Sequence, residues 1–115
     1  MNERDETLLR DMLDAARDAV AFTTGRDRAM LDDDRMFSFA LVRAIEIVGE
    51  AAGRVSLETR DALPQIPWRN IVGMRNKIIH DYRYVDHDIV WDVATLNLPQ
   101  LIDELESILP LADES

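Results

Sequence analysis

Apolar residues recur at intervals of three and four along almost the whole of this chain, and that period admits helices and little else. Leu8, Leu9, Met12, Leu13, Ala16, Ala19 and Val20 mark a first amphipathic helix from about residue 5 to 23, ended by Thr23-Thr24-Gly25. A second runs from about Arg35 to Arg54, with Met36, Phe39, Ala40, Ile45, Ile47, Val48, Ala51 and Ala52 as its apolar surface. The Asp32-Asp33-Asp34 triplet before it reads as a helix cap with favourable charge at the positive end of the dipole. Ser56 to Ala62 reads as a short helix or turn. Pro67, suited to a first helical position, opens a third helix from about Trp68 to His80 or Asp81. Asp86 or Asp88 caps a fourth that reaches Leu109, and Pro99 should kink or interrupt it near Asn97. No strand-like alternation or internal repeat is visible. The expectation is an all-α, antiparallel four-helix bundle, up to five helices, forming a single domain over residues 1–115.

Two details of the second helix constrain its neighbours. Gly49 and Gly53 lie four apart on one face and cost about 1 kcal/mol each relative to alanine, so another helix should approach closely there. Glu46 and Glu50 also lie four apart. With Arg43 three before the first and Arg54 four after the second, they read as a solvated ion-pair ladder.

The third helix breaks the amphipathic rule. At about 100° per residue, Arg75 falls in the middle of the stripe made by Trp68, Ile71, Val72, Ile78 and Ile79. An arginine there is buried against a partner, placed at a subunit interface, or kept for function. Asn76 and His80 lie on the flank of the same stripe. These side chains suit phosphodiester chemistry. His80 can exchange a proton near neutral pH. Arg75 can hold a phosphodiester and stabilise charge at phosphorus. Asn76 can orient the histidine or the sugar. His80 and His87 are seven apart with no further ligand motif, and the chain has no cysteine, so no metal site and no cofactor are expected. Cleavage without a metal favours RNA, whose 2′-hydroxyl is an internal nucleophile. Two copies of the helix meeting across a two-fold axis would each add an Arg–Asn–His set to one composite cleft.

Charge first argues against such a substrate. The chain has 23 acidic and 13 basic residues, a net of -10, where nucleic-acid binders usually show a basic stripe. Yet Pro67 to Tyr84 carries Arg69, Arg75, Lys77 and Arg83 against Asp81 alone, for a net of +3, which leaves -13 for the rest. No leader-like or membrane-length apolar run is seen, and a cytoplasmic location is expected.

Arg75-Asn76-Lys77-Ile78-Ile79-His80-Asp81-Tyr82 resembles the Arg-x4-His-x-Tyr motif of the HepT-like toxins, which belong to the HEPN superfamily of all-helical ribonuclease domains. The surroundings are similar as well. Ile66-Pro67-Trp68-Arg69, Ile71-Val72-Gly73-Met74 and Asp88-Ile89-Val90-Trp91 flank the motif as they do in that family, Ala44 to Ala51 resembles its second helix, and Leu98-Pro99 its interrupted last helix. The likeness spans roughly residues 5–109. It implies a homodimeric endoribonuclease whose two motifs face each other, with Arg75 and His80 catalytic and Asn76 supporting. Arg69, Lys77 and Arg83 are candidates for RNA contact. It further implies a minimal nucleotidyltransferase antitoxin as partner, neutralising the toxin by AMP transfer to Tyr82, with Tyr84 as a nearby second hydroxyl. The alternative within the same superfamily is a non-catalytic nucleotide-binding or protein-interaction module.

Overall fold

The structure, a computed structural model, describes residues 1–81 and 84–110, with His80 and Asp81 described by their backbone alone. The architecture is all-α: α1 (Glu3–Thr23), α2 (Met30–Asp33), α3 (Arg35–Arg54), α4 (Leu57–Ala62), α5 (Trp68–Val72), α6 (Met74–Ile78), α7 (His87–Asp92) and α8 (Leu98–Ile108), with one small hairpin of β1 (Ile79–Asp81) and β2 (Tyr84–Val85). The caps explain the boundaries. Asn2 accepts from the Asp5 amide, Asp34 from Phe37, Ser56 from Thr59 and Asp86 from Ile89, each at a helix start where amides lack partners. Of the acidic triplet, Asp34 alone caps α3; Asp32 and Asp33 belong to the short α2.

Long helices α1 and α3 pack along each other, α8 lies on α1, and α5 and α6 cross α3. Leu9, Met12, Leu41, Ile45, Val48, Ile78, Val90, Leu98 and Leu105 are almost wholly buried between them. The close approach expected at the two glycines of α3 is found at Gly49 and not at Gly53. A Cβ on Gly49 would stand 3.3 Å from the Ile71 carbonyl oxygen, whereas one on Gly53 would meet only a Val72 methyl at 4.0 Å. The two positions therefore respond oppositely. Gly49→Val should destabilise by about 1–3 kcal/mol, because a backbone carbonyl cannot step aside. Gly53→Ala should stabilise by up to about 1 kcal/mol through helix propensity. Urea unfolding of both variants measures the contrast.

Among the described residues, one carboxylate is fully buried. Asp5 of α1 accepts hydrogen bonds from the Ser56 amide (3.1 Å), the Ser56 hydroxyl (2.6 Å) and the Thr59 hydroxyl (2.6 Å), tying α1 to the start of α4. Those hydrogen bonds, the Ser56 hydroxyl first, pull its pKa from 3.8 to about 2. A folded-state pKa below the unfolded one adds stability above the unfolded value and loses it as pH falls towards the folded one. Asp5→Asn should therefore lower the thermal midpoint at neutral pH, by roughly 5–10 °C, and flatten the loss of stability of the parent between pH 3.8 and about 2.

Two expectations need correction. The third helix does not continue to His80. It breaks at Gly73 into two short helices and ends at Ile78, after which the chain turns into β1. β-Branched Ile78 and Ile79 and the Tyr84-Val85 pair favour extended backbone. Antiparallel pairing of Ile79 with Val85 and Asp81 with Tyr84, with a register irregularity between them, returns the chain at once. Pro67 stands one position earlier than expected, as the residue before α5. The last helix is interrupted near Asn97 as expected, and the interruption is a π-helical turn at Val93–Asn97. Pro99 near the start of α8 lacks the N–H that a continuous helix would use, and the wider turn absorbs the mismatch.

Candidate active site

α6 is a single turn, and its two buried residues, Met74 and Ile78, lie four apart on the inner face. Arg75 is consequently turned outward, with 55% of its side chain exposed. The expected central place of Arg75 in an apolar stripe rested on one unbroken helix, and the break at Gly73 removes it. Arg75 is instead held by α3. Its Nε donates to Glu46 Oε2 at 3.1 Å, and Glu46 is the more sheltered partner at 20% exposure. The ion-pair ladder within α3 is corrected by the same contact: Arg43 reaches across two turns to Glu50 at 3.3 Å, while Glu46 serves Arg75.

Glu46 also forms one end of an open groove of about 740 Å³ that follows a stripe of α3 through Val42, Phe39, Ser38 and Arg35. α2, β2 and α7 supply the facing wall with Asp32, Tyr84 and His87. Phe39 on its lining is 62% exposed, the Arg35 guanidinium stacks over the Phe39 ring at 5.2 Å, and Met36, next to Arg35 in the chain, is 83% exposed.

Arg69, Asn76 and Lys77 are exposed. Asn76 follows Arg75 on α6, but Lys77 lines a separate pocket of about 370 Å³ between α5–α6 and α7–α8, so the structure does not bring Lys77 into the Glu46 groove. The backbone of His80 lies in the middle of β1, five residues beyond Arg75 and beside the Ile79–Val85 pair. Tyr82 and Arg83 lie outside the described residues.

A polar chain unforeseen from sequence occupies the far end of the groove. Ser38 Oγ lies 3.1 Å from His87 Nε2, and His87 Nδ1 lies 2.8 Å from Asp32 Oδ1. Arg28 donates to Asp32 at 3.1 Å and to Asp88 at 2.7 Å. Hydrogen bonds from His87 first, and then Arg28, hold the Asp32 carboxyl below the usual range; Arg28 in turn is raised, chiefly by Asp88. The available signal was Ser38, a hydroxyl among Phe37, Leu41 and Val42 that had to find a partner once buried.

The sequence matches the family described as Ribonuclease HepT-like over residues 12–108. Two proteins of Methanocaldococcus jannaschii, each named as a putative RNase, are 33% identical over 94% of this chain and 100% of theirs, and 32% identical over 99% of both. A protein of Thermococcus cleftensis named probable ribonuclease HepT is 36% identical over 65% of this chain and 68% of its own. No solved structure matches the chain.

Proposed function

The chain belongs to the HepT-like ribonuclease family, and from that membership we propose that it is the toxin of a two-component system, an endoribonuclease whose active site is composite across a homodimer cleft. The observation that carries this reading is the family match spanning the Arg75–His80 motif, with Arg75 exposed and braced by Glu46 at the end of an open groove. Arg75 and His80 are the catalytic pair and Asn76 supports them. Arg69, Lys77 and Arg83 are RNA contacts outside the chemistry. The exposed Met36 and Phe39 beside the groove support a second copy of the chain as its other wall, because monomers rarely leave such a patch open.

In the reaction, the 2′-oxygen of one nucleotide attacks the adjacent phosphorus and the 5′-oxygen leaves. His80 exchanges the proton, and Arg75 neutralises charge that grows on the phosphoryl oxygens. No metal takes part in this scheme. The test is a matched pair of RNA and DNA pools offered to the protein without its partner. RNA alone should be cut, leaving 2′,3′-cyclic phosphate and 5′-hydroxyl ends. Equal cutting of DNA, which lacks the 2′-hydroxyl, would refute the mechanism.

The partner of the system is a minimal nucleotidyltransferase that adds AMP to Tyr82. A nucleotide there places charge and bulk two residues from His80, where RNA must enter. Incubation with that enzyme and ATP should add the mass of one AMP to the peptide containing Tyr82 and silence RNA cleavage. Tyr82→Phe should take up none and stay active in the presence of the antitoxin. An undiminished mass gain in Tyr82→Phe would move the acceptor to Tyr84 or elsewhere.

A further inference from the structure

Ser38, His87 and Asp32 have the hydrogen-bond order of a hydrolytic triad, and they lie on the same groove as Glu46. Asp32 can only accept, so His87 Nδ1 carries a proton, and Nε2 is left to face the Ser38 hydroxyl. An acyl-transfer site also needs amide donors for the oxyanion. Ser38 stands inside α3, and its own amide is spent on the Asp34 carbonyl at 3.0 Å. Direct proton transfer to a phosphodiester held by Arg75 fails on distance. Ser38 and Glu46 are eight residues apart on one helix, about 12 Å along its axis. The histidine therefore acts on something nearer.

What it holds is the end of the motif hairpin. The strand bearing His80 is anchored upstream by Ile78, which is fully buried, and the chain returns through the Ile79–Val85 pair and the Asp86 amide bonded to the Ile78 carbonyl at 2.7 Å. His87 is the next residue. Its ring is clamped between α2 through Asp32 and α3 through Ser38, while Arg28 ties Asp88 to the same point. Resting on the ribonuclease reading above, we propose that His87 is a positioning residue for that reaction: clamped between Asp32 and Ser38, it fixes the return end of the hairpin and with it the place of His80. The clamp suits the task, because a serine hydroxyl can both donate and accept, so Ser38 can pair with either form of the ring nitrogen. Misplacement of a catalytic group by about 1 Å costs about 10²-fold in rate.

The experiment compares His87→Ala, His87→Gln and Asp32→Asn in the full chain by steady-state RNA cleavage, pH–rate profile and amide exchange. His87→Ala should lower kcat by roughly 10–100-fold with KM little changed. It should keep both limbs of the pH profile and speed exchange of the Asp86 amide. His87→Gln, whose carboxamide can replace one bond of the clamp, should recover part of the rate and of the protection. Unchanged kcat with unchanged exchange in His87→Ala overturns the proposal. Loss of a limb of the pH profile also overturns it, since His87 would then carry the proton itself. A fall in rate no larger than the unfolded fraction at assay temperature reduces His87 to a stabilising residue and overturns it as well. If the parent protein cuts no RNA, the ribonuclease reading fails; faster exchange in His87→Ala would then still show the clamp, and its absence would remove both.

Discussion

His80→Ala in the partner-free protein should reduce RNA cleavage by about 10³-fold or more, while Arg75→Ala should cost about 10²–10³-fold. Loss of a proton-transfer group leaves only water to take its place. In the proposed reaction, loss of the guanidinium would remove charge stabilisation where negative charge develops. Arg75 allows a clean separation of activity from stability. Its side chain is 55% exposed and its ion pair with Glu46 faces solvent on the arginine side; pairs of that kind contribute about 0.2–1 kcal/mol. The Arg75→Ala thermal midpoint should therefore stay within a few degrees of the parent, so a collapse of cleavage without a collapse of melting assigns the loss to chemistry. Arg75→Lys is the sharper variant. It keeps the positive charge but replaces a planar fork with a point charge, and it should recover little. Full recovery in Arg75→Lys would show that only the charge matters. An active His80→Ala would remove the histidine from the reaction.

How far the site could be read from sequence follows from which interactions are local. α3 was legible to its ends, because Asp34 caps it and the apolar residues keep one period to Ala52. The close approach at Gly49 was legible too, since an uncompensated helical glycine asks for a neighbour, and the Ile71 carbonyl is that neighbour. The motif segment was legible as a set of residues and misread as a shape. A helical projection assumes an unbroken helix, and Gly73 together with Ile78-Ile79 ends it. Spacing rules also see only pairs within one helix. They assigned Glu46 to Arg43, three residues away, and missed Arg75, twenty-nine residues away. Ser38 and His87 are forty-nine apart and meet only because the hairpin reverses the chain immediately before α7. No local period encodes that meeting.

The strand geometry bears on the second large effect. The His80 backbone belongs to β1 and not to a continuation of α6, and Arg75 is paired with Glu46 of α3. A cleft that takes its arginine from one subunit and its histidine from the other then predicts rescue between two dead proteins. Arg75→Ala and His80→Ala, each inactive as a homodimer, should regain activity when unfolded together and refolded. Random pairing makes about half of the dimers mixed. Each mixed dimer has one site with both groups intact and one with neither, so about a quarter of the parent activity should return. The same proteins mixed without unfolding should recover only as fast as subunits exchange, which separates rescue from contamination. No recovery after refolding, with mixed dimers demonstrated by mass, would place Arg75 and His80 of a single subunit at each phosphodiester. Recovery well above a quarter would mean that one arginine or one histidine suffices for both sites, and the cleft would then be a single shared centre.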